Sequence, residues 1–473
     1  MAHFAKLDPA RASALRQIDE RLVSYNVEMT EVTGGTFWKA YTDAQVDGTE
    51  AFPEIRDWTN MGNLQQWYDP IDTTNPRLIK LARDLGPAWV RVSGTWANKT
   101  YYDFDNKYGG KVPEGFQNVL SRQQWLNLLD FVRAVGAKLM VSIANCPGIH
   151  AADEPMPFEQ AELLFRTSRE YGVPISAAEF TNEPNLIALS GLPKGYTAAD
   201  HARDHDLFGA LEGAGGGMAA GFQMVTTEEL LGEYRSPMDV FSYHYYNGVS
   251  ERGAAMGGHW PFEAILTEQY LAVAASCARQ YVARRDRYVP GGQMWVTESG
   301  DAGCGGNTWA STYCDVPRTL NELGEFCTVT DGVIFHNTLA SSDYGYLKHG
   351  TFEPRPNYFA VLLWNRLMGS TCYDSGLTNE EGAHIYCHSR KDGKEGLVYL
   401  VINNSQTETT TVELPGAAEV YALTGNGKFR SRTMLLNGRE LVLGEDDALP
   451  ELTGVPASGT VDIAPGGCTF IVV

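Results

Sequence analysis

The sequence predicts an α/β protein, a (β/α)8 TIM barrel followed by a C-terminal antiparallel β-sandwich. Three observations predict it. The 473-residue chain exceeds one average domain but suits a barrel of roughly 250 to 400 residues with an accessory domain. Short apolar, β-rich runs alternate with longer helical stretches from about residue 20 to 365, the pattern of βα units around a parallel sheet. From about residue 370 the helical stretches give way to short strands punctuated by Gly, Asn and Pro, as in a sandwich.

The barrel strands are expected at Leu22–Glu28, Ala88–Ser93, Lys138–Ala144, Ile175–Thr181, Phe222–Thr226, Val240–Tyr245, Met294–Thr297 and Val333–Asn337. The fifth has the weakest pattern, because it follows the Gly-rich stretch 213–217. Helices are expected at Arg122–Val135 and Pro157–Tyr171, where apolar residues recur at three and four positions as a helix on a sheet requires. Sandwich strands are expected at Gly396–Ile402, Glu419–Leu423 and Cys468–Val473. The resulting division is an N-terminal segment 1–20 that packs on either domain, a barrel 21–368 and a sandwich 369–473. No repeat at solenoid or propeller spacing competes with it.

Composition narrows the function classes. The chain is 43% hydrophobic and 20% charged, the balance of a globular protein with a large core. Its 37 basic and 58 acidic side chains give a net charge of −21, and no long Lys/Arg run supplies an electrostatic footprint for nucleic acid. No apolar run reaches the ~18 to 20 residues of a membrane span, so no membrane partner is expected and a soluble chain is, with cytoplasmic and secreted locations both open. The eight cysteines show no CxxC pair and read as structural thiols, although a bridge between Cys304 and Cys314 stays open. No HExxH, DxDxDG or GxxxxGK motif occurs, so neither a metal nor a nucleotide cofactor is expected. Oligomeric state is not legible.

Two strand ends carry the chemistry. The small-residue strand from Ile175 runs into Asn182-Glu183-Pro184, where proline ends the strand and leaves Glu183 at the C-terminal rim. The apolar run from Met294 delivers Glu298 to the same rim, where barrel enzymes keep their active sites. Either glutamate alone reads as an ordinary strand-end ion pair. Together, on strands four and seven, they are the two carboxyls that glycoside hydrolysis needs, one to protonate the leaving oxygen and one to attack. Glu183 is then the general acid/base and Glu298 the nucleophile, and a retaining enzyme would hold them about 5 to 5.5 Å apart.

At this point a resemblance becomes specific. AEFTNEPN, ending at Asn185, is similar to the acid/base segment of heparanase and bacterial β-glucuronidases in glycoside hydrolase family 79, and ESGDAGCGG, starting at Glu298, resembles that family's nucleophile and glycine loop. DYGYL at Asp343–Leu347, FEPRPNYF at Phe352–Phe359 and PRLIKLARDLGPAWVRVSGT at Pro76–Thr95 resemble further family blocks. SYNVEMTEVTGGTFW, from Ser24, resembles the family's leech-type hyaluronidases.

The resemblance implies a uronate at the reacting subsite, met by the N–H groups of Gly305 and Gly306 and the phenol of Tyr344. A carboxylate in a buried pocket needs such donors, and successive glycines can form an anion nest. Cys304 departs from the family's more glycine-rich loop. The resemblance further implies that Glu28 and Asn182 bind substrate and that His244 and Tyr246 orient the nucleophile and line the pocket. Glu28 in an ion pair, and the aromatic cluster as core, are the alternatives. Arg91 on strand two would favour ionised Glu298 as a nearby positive charge. His336-Asn337 touches substrate or belongs to the core. The implied substrate is a glucuronide, or a uronic-acid-containing chain such as hyaluronan or undersulfated heparan, cleaved in exo or endo fashion. The competing functions are a retaining barrel glycosidase for neutral β-glycosides and a carbohydrate-binding protein with an inactive site.

Overall fold

The computed structural model describes residues 3–52, 62–187, 189–211, 216–218 and 225–473. It is a mixed α/β architecture of parallel strands joined to antiparallel sheets. Eight parallel strands, β1 (Val23–Glu28), β2 (Trp89–Ser93), β3 (Lys138–Ser142), β4 (Ile175–Glu179), β5 (Gly216–Met218), β6 (Val240–Tyr246), β7 (Gln293–Gly300) and β8 (Gly332–His336), pair in chain order and close, β8 bonding to β1. Seven of these coincide with the expected strands to within a few residues at each end.

The fifth strand is a correction. Residues 222–224 of the expected strand lie outside the described residues, and Thr226 caps a helix (Thr227–Leu231) by accepting from the Glu229 amide. The strand that fills the gap is Gly216–Met218, which overlaps the Gly-rich stretch 213–217 and has hardly any side chains to make an apolar pattern.

Alternation along the strands sorts the interior by height. Trp89, Met140, Trp295, Val333 and Phe335 form one apolar cluster inside the strands, with the Trp89 and Trp295 rings 4.7 Å apart. Two residues further on, the same face carries Arg91, Ser142 and Asn337, and above Ala177 it carries Glu179. The interior therefore turns from apolar to ionic towards the C-terminal rim.

Outside, helices cover the strands. The helix Arg122–Val135 occupies its expected span because Ser121 and Gln124 form a capping box and Gly136, at φ +69°, ends it in the left-handed conformation. Its Trp125, Leu128, Leu129 and Val132 are buried against the strands. The second expected helix runs over Glu159–Glu170.

The C-terminal region forms two sheets. One contains Met368–Asp374, His384–Arg390, Leu397–Ile402, Cys468–Val472 and Ala418–Gly425, and the N-terminal strand Ser13–Gln17 pairs with its first strand. The other joins His3–Lys6, Thr410–Glu413 and Thr460–Ile463. Side chains from both, including Leu7, Ile385, Tyr399, Val401, Val412 and Ile471, share one core. Among the described residues no helix is long and apolar enough to cross a membrane.

Candidate active site

Glu183 lies four residues beyond the end of β4, capping a short 3-10 turn (Pro184–Leu186) with φ +46°. Asn98 fixes the approach, donating from Nδ2 to the Asn182 carbonyl at 2.9 Å and accepting the Asn182 amide at 3.0 Å. The Glu183 side chain stays 18% exposed.

Glu298 reaches the rim through a bulge. Tyr243 pairs with Val296 and His244 with Glu298, so Thr297 is an extra residue in β7, and β8 sees the same slip. A single added residue reverses the side-chain parity, which brings Glu298 and His244 to one face. Bulges recur beside active sites for this reason.

The two carboxylates meet around His244. Its Nδ1 lies 2.9 Å from Glu183 Oε1 and 3.4 Å from Glu298 Oε2. One oxygen of each glutamate and a His244 ring nitrogen all fall within 4.8 Å of one another. Burial works against charge on the imidazole, but Glu298 and Glu183 outweigh it and hold His244 above the usual histidine range. Three such ligands could hold a metal ion by spacing, but the Arg91 guanidinium already lies 3.3 Å from Glu298 and 3.4 Å from His244 Nε2, and its fixed charge opposes a dication.

Arg91 is fully buried and forked. Nε donates to Glu179 Oε1 at 3.0 Å, Nη2 to Asn182 Oδ1 at 2.8 Å, and Nη1 to the Thr297 carbonyl at 3.1 Å and Glu298 Oε1 at 3.3 Å. On the other side of Glu298, Tyr246 donates its phenol to Oε2 at 2.8 Å and accepts from Asn337 Nδ2 at 2.9 Å. Burial, reinforced by Glu298, pushes the Tyr246 phenol well above its usual range, so it remains a donor. Asn337 also donates to the Tyr344 hydroxyl at 3.2 Å. Glu28 is buried beside them, and burial, with the charges of Glu298 and Glu31 adding to it, pushes its carboxyl well up.

The glycine loop is held from behind. Arg252 Nη1 donates to the Cys304 carbonyl at 3.1 Å, Ser342 Oγ to that of Gly305 at 3.0 Å and Tyr41 to that of Gly306 at 2.8 Å. Cys304, Gly305 and Gly306 all have φ between +66° and +87°, a conformation that suits glycine and strains the cysteine.

Comparison with known proteins sets this geometry in context. No protein-family model matches the chain. It is 25% identical to heparanase-like protein 1 of Arabidopsis thaliana, over 85% of this chain and 84% of the relative. It is 24% identical to the hyaluronoglucuronidase of Hirudo nipponia, over 85% of this chain and 90% of the relative. These similarities, modest in identity but spanning most of the chain, are consistent with the heparanase- and glucuronidase-like glycoside hydrolase family 79. Inactive heparanase-2 of Homo sapiens also matches, 27% identical over 39% of this chain and 36% of its own length. In fold, the 4-O-α-L-rhamnosyl-β-D-glucuronidase of Fusarium oxysporum superposes over the whole of both chains with a TM-score of 0.64 at 12% identity.

The residues singled out in the sequence converge on one rim. One implied donor is already engaged, because the Gly306 amide donates to the Ala302 carbonyl at 3.2 Å. Among the described residues the amides of Cys304 and Gly305 donate to no backbone carbonyl, which puts the adjacent unspent amides one residue before the implied pair. Cys304 and Cys314 are both free thiols, and burial pushes the Cys304 thiol up to about 12.

Arg252 was not singled out. It is fully buried, stacks 4.1 Å over the Tyr41 ring and faces Asp343 at 3.4 Å. It sits in a short 3-10 helix (Glu251–Met256) with no motif of its own and meets the site through contacts between residues far apart in sequence.

Proposed function

We propose that the chain is a retaining glycoside hydrolase that releases β-linked glucuronic acid, built as a (β/α)8 barrel (21–368) carrying a β-sandwich (369–473) to which the N-terminal segment 1–20 adds strands. The observation that carries this reading is the approach of Glu183 and Glu298 oxygens to within 4.8 Å around His244. An oxygen-to-oxygen approach this close supports the roughly 5 to 5.5 Å carboxyl spacing of direct attack on the sugar over the roughly 6.5 to 9.5 Å at which inverting enzymes hold a water.

In the first step Glu183 protonates the departing glycosidic oxygen while Glu298 attacks the anomeric carbon, giving an α-linked glycosyl ester. In the second, Glu183 takes a proton from water, which displaces Glu298 and restores the β configuration. Arg91 and Tyr246 fix the two oxygens of Glu298 from opposite sides. His244 Nδ1 keeps a hydrogen bond to Glu183 as that group gives and regains its proton.

The uronate reading is supported by charge around the loop. Arg252 lies against Gly305, where a Cβ would overlap its Nη1. Its partner Asp343 is pushed up by burial, against the pull of Arg355 and Arg252. Donors in the Gly305 amide and the Tyr344 phenol, with the positive charge of this guanidinium behind the loop, support an anionic group at the reacting subsite. A β-glucuronide, or glucuronic acid within a hyaluronan- or heparan-like chain, is the substrate class. Comparing hydrolysis of chromogenic β-glucuronide, β-glucoside and β-galactoside tests the reading. Preference for the neutral glycosides, or no turnover of any, overturns it. Sizing the products from hyaluronan then separates endo from exo cleavage.

A further inference from the structure

The strongest ionic contact at the site does not involve either carboxylate assigned to the reaction. Glu179, at the end of β4, is fully buried, and its Oε1 gathers the Nε and Nη2 donors of Arg91 together with the hydroxyls of Ser93, at 3.3 Å, and Ser142. Nη2 is shared with Asn182, the neighbour of Glu183, at 2.8 Å. Glu298 receives only Nη1, at 3.3 Å. A guanidinium presents its donors in a rigid fork, so which carboxylate takes the Nε/Nη2 edge decides where the charge is spent.

We propose that Glu179 is a positioning residue which takes most of the Arg91 charge, and so leaves Glu298 loosely paired and reactive while Arg91 ties it to the segment carrying Glu183. The inference rests on the retaining reading above. Without Glu179, Arg91 would turn its full charge on Glu298, stabilising the resting anion more than the transition state in which that charge is consumed. The ionisable groups facing Glu298 are Arg91 on β2, His244 and Tyr246 on β6, Glu28 on β1, Glu183 beyond β4 and Tyr344 beyond β8. Among the described residues the ionisable group bonded to Glu179 is Arg91, with the two serine hydroxyls as neutral donors.

The test is the pH dependence of kcat/KM on a chromogenic β-glucuronide for the wild type, Glu179→Gln and Glu179→Asp, with thermal melting as the check on folding. Removing the negative charge favours the ionised form of every acid nearby, so both limbs of the Glu179→Gln profile should move down by roughly half to one pH unit, with kcat at least about tenfold lower. Glu179→Asp keeps the charge and should keep the limbs in place. A folded Glu179→Gln enzyme with wild-type limbs overturns the inference. If that variant does not fold, Ser142→Ala removes one donor to Glu179 and draws Arg91 further from Glu298. Its acid limb should rise, and a limb that stays or falls overturns the inference equally. An inactive wild type, or full turnover by Glu298→Gln, overturns instead the glycosidase reading itself.

Discussion

Tyr246 gives the sharpest single perturbation, because its hydroxyl makes two measurable bonds and its ring makes separate ones. Tyr246→Phe keeps the ring, whose centroid lies 6.4 Å from that of Tyr344, and removes the 2.8 Å bond to Glu298 Oε2. A hydrogen bond to a charged acceptor contributes about 1.5 to 3 kcal/mol. At roughly 1.4 kcal/mol per decade this is a ten- to 150-fold loss in kcat/KM. The loss should fall mainly on kcat, since the phenol holds the attacking group and KM reflects contacts spread over the whole sugar. Asn337 keeps Tyr344 as an acceptor, so the folded state should lose little and Tm should move by no more than a few degrees. The acid limb of the profile should rise by about one unit, because a donor to the ionised form is gone. The assay is steady-state hydrolysis of a chromogenic β-glucuronide from pH 3 to 9. A change under about threefold in kcat, with an unmoved acid limb, would refute the claim that Tyr246 orients the nucleophile.

Tyr344→Phe should weaken β-glucuronide hydrolysis by roughly ten- to a hundredfold while hardly changing any residual β-glucoside turnover, since only the uronate presents a charge to that phenol; equal losses on both substrates would remove Tyr344 from recognition of the acid. With an activated leaving group, azide should partly rescue Glu183→Ala and give a β-glycosyl azide by displacing Glu298 from the ester, and should rescue Glu298→Ala, if at all, with the α-glycosyl azide by taking the nucleophile's place; an α-azide from Glu183→Ala and a β-azide from Glu298→Ala would exchange the two roles. Burial holds the Glu31 carboxyl up to about 8. The folded protein therefore binds a proton there that the unfolded chain releases near its ordinary value of about 4.3, and stability from this group falls as pH rises from there to 8. Glu31→Gln keeps an acceptor for the Glu28 amide, now 2.6 Å from Oε2, and should flatten that part of the Tm-against-pH curve. A curve as steep as the wild type's contradicts this.

What the sequence disclosed and what it concealed differ in kind. The rim positions of Glu183, just beyond β4, and Glu298, on β7, were legible because proline after Glu183 and a glycine loop after Glu298 mark strand ends locally. The helix Arg122–Val135 was legible to its ends, since its cap residues are written beside it. The fifth strand was not, because Gly216–Met218 has almost no side chains to show a period; the capping box Thr226–Glu229 was the available signal that the next segment is helical. The N-terminal strands His3–Lys6 and Ser13–Gln17 pair with residues some 350 to 400 positions away, a distance over which no local pattern speaks. The same holds for Arg252 behind the glycine loop and for the division of Arg91 between Glu179 and Glu298. Nor does glycine spacing say which amide a loop spends on itself, as Gly306 does on Ala302.

The central claim is that Glu298 attacks the sugar directly and the product keeps its configuration. Proton NMR of a β-glucuronide during the first minutes of hydrolysis, before mutarotation, tests it most directly. The account predicts that β-glucuronic acid appears first and the α-anomer only later, by mutarotation; α-glucuronic acid as the first product would contradict it.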